Sequence, residues 1–141
     1  MQTAPTPVVQ RTKLPDAEKI TINLGYVDLG QIDLLVAEGF YSNRTDFIRT
    51  AIRNQLSVHG DALKQVVARK MLVLGLQQFS AGDLEAVRRA GERLEIRVLG
   101  LATISADVTP ELALETIASV TVLGALHASA AVKAALADRL R

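Results

Sequence analysis

The spacing of apolar positions changes along the 141-residue chain, and each change marks an expected element. Residues 1–17 hold Pro5, Pro7 and Pro15, show no apolar period, and read as a flexible N-terminal arm that carries Arg11 and Lys13. From residue 18 the chain alternates strictly: Ile20, Ile22 and Leu24 fall on one face, and Lys19, Thr21 and Asn23 on the other. A period of two predicts a half-buried strand over 18–24, ended by Gly25. The period then lengthens to that of a helix. Leu29, Ile32, Leu35 and Val36 predict a helix over 28–38, with Asp28 as its cap, Gln31 three residues on, and Gly39 as its left-handed stop. Asn43 and Asp46 mark the start of a second helix over 44–58. Its apolar stripe is Phe47, Ile48, Ala51, Ile52 and Leu56. Gly60 is the expected break before a connecting helix over 60–70 that carries Leu63, Val66 and Val67.

The second half repeats itself. Val73-Leu-Gly-Leu-Gln-Gln-Phe-Ser-Ala81 aligns with Val98-Leu-Gly-Leu-Ala-Thr-Ile-Ser-Ala106 and with Val122-Leu-Gly-Ala-Leu-His-Ala-Ser-Ala130, at offsets of 25 and 24 residues. Val, Leu, Gly, Ser and Ala recur at the same five of nine positions, and apolar Met71, Ile96 and Val120 stand two residues upstream. Each unit reads as a strand on Val-Leu-Gly followed by a helical segment. Ser80, Thr109 (with Pro110 behind it) and Ser129 are the expected caps. Repeated strand–helix units predict parallel strands, and a glycine in mid-strand predicts close approach of backbone or helix. The expectation is a small solenoid-like βα repeat domain over 71–141.

The strand at 18–24 has no partner in its own half, and one strand cannot make a sheet. The simplest partner is the same segment of a second copy, paired about a two-fold axis.

Lys19-Ile-Thr-Ile-Asn-Leu24, the first helix, and Gly39-Phe-Tyr-Ser-Asn-Arg-Thr-Asp-Phe-Ile-Arg-Thr-Ala-Ile-Arg53 together resemble a ribbon-helix-helix DNA-binding domain of the CopG type. The resemblance covers about residues 18–58. The repeat half matches no named family on these motifs. The resemblance implies an intertwined homodimer whose two strands lie as an antiparallel ribbon in the major groove of double-stranded DNA. It implies base reading by Lys19, Thr21 and Asn23, whose side chains suit guanine, the thymine methyl and adenine. It also implies phosphate binding at the start of the second helix by Ser42, Asn43 and Arg44. Arg11 and Lys13 of the arm are expected to add phosphate contacts. The dimer core would comprise Ile20, Ile22, Leu24, Phe47, Ile48 and Ile52. The expected whole is α+β: a ribbon-helix-helix domain over 18–59, then the βα repeats.

Charge and composition narrow the chemistry. Lys plus Arg is 16 against Asp plus Glu 15, so no net field draws the chain to nucleic acid or an anionic membrane. Residues 11–59 carry six basic and six acidic side chains, so non-specific phosphate attraction is modest. Affinity would lean on the local clamp and on dimers bound side by side. There is no Cys, which excludes disulfides, thiolate ligands and Cys nucleophiles. With only His59 and His127, the metal-sensing branch of the family finds no ligands and no cofactor is expected. A catalytic Ser in the repeats would lack a base, so no enzyme is expected. The N-terminus is no signal peptide, and the Ala-rich stretch Ile117–Ala137 is too polar to span a membrane. A cytoplasmic regulator follows, most simply a repressor, with the repeats serving assembly or effector sensing. The rival readings are the antitoxin of a toxin–antitoxin pair and a DNA-anchored, polymer-forming structural protein.

Overall fold

The computed structural model describes residues 17–141. All of the expected arm but Ala17, including Arg11 and Lys13, lies outside the described residues. The chain divides into two compact units, with the boundary between Asn54 and Gln55.

In the first unit, residues 18–25 belong to no helix or sheet and are exposed throughout. Helices α1 (Tyr26–Ala37) and α2 (Arg44–Val58, which runs past the boundary) follow. Leu29, Leu35 and Val36 are half-buried on the same face as buried Ile32, as their spacing predicts. The start of α1 corrects the sequence. Gly25, not Asp28, is the N-cap, through its backbone carbonyl and without a side-chain bond. Asp28 sits one turn inside, where its charge still favours the helix N-terminus. At the other end Gly39 adopts φ +87°, and the amides of Gly39 and Phe40 bond back to Val36 and Leu35. This is a Schellman closure, which needs a left-handed residue and so favours glycine.

The second unit opens with α3 (Gly60–Arg69). The break before it falls at His59, one residue earlier than a glycine breaker predicts, and Gly60 is already helical. Strands β1 (Val73–Phe79), β2 (Leu94–Ile104) and β3 (Ile117–His127) form one parallel sheet in the order β1-β2-β3. Helices α4 (Ala81–Arg89), α5 (Pro110–Thr116) and α6 (Ala130–Ala135) connect and follow them, and a 3-10 turn over Ala137–Arg139 ends the unit. The sequence repeat is the hydrogen-bond register. Val73 pairs with Val98 and Val98 with Val122; Gly75 pairs with Gly100 and Gly100 with Gly124.

Alternation along β2 decides what is buried. Ile96, Val98, Ala102 and Ile104 face Leu84 of α4, Leu112 and Ala113 of α5, and Val132 of α6, together with Val120 of β3. The opposite face leaves Leu74, Leu76 and Leu123 exposed. Each helix starts as the sequence predicts. Ser80 Oγ accepts from the Asp83 amide while Asp83 accepts from the Ser80 amide; Thr109 Oγ1 accepts from Leu112, and Ser129 Oγ from Val132. Met71 departs from its alignment with Ile96 and Val120. It lies outside β1, 74% exposed, at φ 55°. It ends α3 as Gly39 ends α1: the amides of Met71 and Leu72 bond to Ala68 and Val67. The next residue, Leu72, is buried.

Two of the three mid-strand glycines, Gly100 and Gly124, are required by backbone contact. A Cβ on Gly100 would stand 2.2 Å from the Gly75 carbonyl oxygen, and one on Gly124 would stand 2.1 Å from that of Gly100. Both positions also have positive φ, +143° and +119°. Of the approaches expected in the repeats, it is therefore strand backbone and not a helix that comes close.

Candidate nucleic-acid interface

The first unit presents a segment outside helix and sheet, residues 18–25, and further on the N-terminus of α2. Lys19, Thr21 and Asn23 are exposed along residues 18–25. So are the apolar residues between them: Ile20 is 72% exposed, Ile22 58% and Leu24 37%. No ladder bond ties this stretch to any other described residue. The segment expected as a strand is thus unpaired within one chain, because a strand needs a neighbour and this unit offers none. The helices repeat the theme. Phe47 and Ile48 are half-buried, and Ala51, Ile52 and Leu56 are exposed. Among the described residues of the unit, Ile32 alone is buried. Such a unit has no core of its own.

The turn before α2 is better fixed. Asn43 Oδ1 accepts from the Asp46 amide at 2.8 Å, and Asp46 Oδ2 accepts from the Ser42 amide at 2.9 Å. Tyr41 meets Phe47 edge-on, with ring centroids 5.1 Å apart, and braces the same turn. Of the expected phosphate ligands, Ser42 has its amide committed to Asp46, and Asn43 spends its side chain on the cap. The first-turn amides of Arg44 and Thr45 have no intrahelical acceptor and can meet an anion.

Arg44 holds a pairing that sequence spacing did not reveal. Its Nε and Nη2 donate to both carboxylate oxygens of Asp33, at 2.8 and 2.9 Å. Hydrogen bonding to the guanidinium holds the Asp33 carboxyl below its usual range, and the same bonds raise Arg44. The residues are eleven apart on different helices, so neither helical period signals the pair.

A family model described as the ribbon-helix-helix transcriptional regulator family matches residues 15–133. The chain belongs to that family. The match runs through the repeats, so the second unit falls within the family along with the reader, which the motifs at 18–58 did not disclose. No curated protein and no solved structure matches the chain. Regulators of this family bind DNA, generally dimerise and are typically not enzymes. Among the described residues, no helix is long and apolar enough to cross a membrane.

Proposed function

We propose that the protein is a sequence-specific DNA-binding repressor that acts in the cytoplasm as an intertwined homodimer. The carrying observation is the unpaired apolar row Ile20, Ile22 and Leu24 in a unit with a single buried residue among those described. Two copies that zip residues 19–24 into an antiparallel ribbon turn this row inward against Phe47, Ile48 and Ile52. Each Ile or Leu side chain so buried contributes about 1.5–3 kcal/mol. Alternation then leaves Lys19, Thr21 and Asn23 of both copies on the outer face, where a two-stranded ribbon fits the major groove. The Arg44 and Thr45 amides, with the dipole of α2, meet the flanking phosphates.

The Asp33 carboxylate competes with phosphate for Arg44, which keeps non-specific attraction low. Operator occupancy by such a dimer excludes other proteins from the same groove, hence repression. The three in-register units form a short solenoid-like stack, and its role in this proposal is to join dimers on neighbouring sites by avidity.

Selection of bound DNA from a random pool, followed by gel shifts on the selected site, tests the reader. Replacement of Lys19, Thr21 and Asn23 together by Ala is expected to abolish discrimination between the selected site and scrambled DNA. Each lost base contact costs about 1–3 kcal/mol. An unchanged sequence preference would refute the assignment.

A further inference from the structure

The glycine ladder of the second unit is unfinished at one end. At Gly100 and Gly124 the positive φ aims the place of a Cβ sideways, at the carbonyl of the preceding strand's glycine. Gly75 has the same twist, φ +123°, yet nothing among the described residues lies within 4 Å of its Cβ place. Among the described residues nothing but that twist requires glycine there. The edge of β1 has the shape that receives a glycine carbonyl from a further parallel strand.

The complementary edge exists on β3. Its first half is covered: Leu140 bridges to Val120, and the Arg141 amide donates to the Val120 carbonyl at 2.8 Å. The covering stops there. Val122–His127 has no outer strand partner among the described residues, and Gly124 is exposed. This open half is the part of β3 that carries Val-Leu-Gly, the part to which the register already matched β2.

We infer that β1 of one copy adds to the open half of β3 of a second copy, in parallel and in the repeat's own register. Val73 then lies beside Val122, Leu74 beside Leu123 and Gly75 beside Gly124. The Gly124 carbonyl fills the vacant place at Gly75, as Gly75 fills that at Gly100. The same register sets Gln78 beside His127, whose Nδ1 is buried and has no hydrogen-bond partner among the described residues. The contact is head-to-tail, so a joined pair keeps one free edge of each kind and the assembly extends. This deepens the assembly role proposed above and rests on it.

Disulfide trapping in the full-length chain tests the register, because the natural sequence has no Cys. Strands one place apart stand about 4.8 Å from each other, within the ~4.4–6.8 Å Cα range of a disulfide. Leu74 and Leu123 of one chain have β2 between them, about 10 Å across by the same spacing, and cannot bridge. Both side chains are exposed, 73% and 52%, so Leu74→Cys and Leu123→Cys leave the core intact. Mild oxidation of a mixture of the two single variants should give the mixed disulfide, and the double variant should give a ladder beyond dimers. A Gln78→Cys chain mixed with Leu123→Cys, four residues out of register, should not cross-link.

Equal trapping of both mixtures overturns the inference, as does self-linking of Leu74→Cys alone to the same extent. Gel shifts on the reduced chains separate the two proposals. Intact DNA recognition without the mixed disulfide rejects the edge pairing only. The mixed disulfide without DNA recognition rejects the reader and supports the edge pairing.

Discussion

The two units solve the folding problem differently. The second closes its core inside one polypeptide: Leu84, Ile96, Val98, Ala102, Ile117, Val120, Val132 and Leu136 are each at most 1% exposed. The first has two helices, α2 capped by Asn43 and α1 closed at its C-terminus by Gly39, and a segment outside helix and sheet; among its described residues one side chain is buried. Local signals are equally good in both. What differs is where the tertiary partner comes from. A cap or a Schellman closure stabilises a helix end, but it does not supply the apolar burial that offsets chain entropy. A unit with helices and no core is half of a structure, and the dimer proposed above would supply its stability.

The strongest way to break that comparison is to damage each unit alone. Ile22→Lys puts a charge on the inward side of the proposed ribbon, at a cost of roughly 3–5 kcal/mol per uncompensated buried charge. It should unfold the first unit and abolish DNA binding, while circular dichroism and NMR still show the second unit folded. Leu84→Ala should destabilise the second unit by about 2–5 kcal/mol. The midpoints should also respond differently to dilution. The first unit's should fall with protein concentration, as for any obligate dimer, and the second unit's should not once dilution has separated the strand-edge contacts.

Gly100→Ala tests the close backbone packing that sets the repeat units apart. Overpacking costs about 1–3 kcal/mol and a left-handed backbone about 1–2 kcal/mol, so roughly 2–5 kcal/mol should be lost in denaturant unfolding of the second unit. A loss below 1 kcal/mol would show that the strands are not held as close as 2.2 Å implies. Met71→Gly acts in the opposite direction. Met71 is exposed and left-handed at the end of α3, so glycine should stabilise by about 1 kcal/mol, read from the same curves.

The smallest effect is on the acid side. The Asp83 carboxyl is held below its usual range by the Ser80 backbone amide and then by the Ser80 hydroxyl. Its folded pKa is depressed, so its contribution is complete above the ordinary aspartate range. That contribution fades as pH falls through the lowered value. Asp83→Asn should flatten this acid limb of the second unit's thermal midpoint and leave the neutral limb's shape unchanged.

Much of this architecture is legible in the residues. The Val-Leu-Gly repeat reports the sheet register directly, since parallel strands of equal units stack like on like. Ser80, Asn43, Thr109 and Ser129 mark helix starts because a cap is a local bond. The failures are also local. Asp28 resembles a cap, but Gly25 starts α1 through backbone alone, and exposed Tyr26 and Val27 give no amphipathic signal. Met71 is apolar at the right offset, yet the chain is still closing a helix there. Arg44 with Asp33 was out of reach for a different reason: the pair joins two helices, and only the turn between them sets the distance. The alternation at 18–24 fixes which residues share a face. It carries no record of which chain supplies the neighbour.

That neighbour can be observed directly. In a dimer mixed from isotope-labelled and unlabelled chains, NMR detects contacts that cross between copies. The account predicts interchain backbone contacts along residues 19–24, with Ile20, Ile22 and Leu24 against the α2 side chains of the other copy. Absence of interchain contacts there, or a ladder from 19–24 to residues of the same chain, would contradict it.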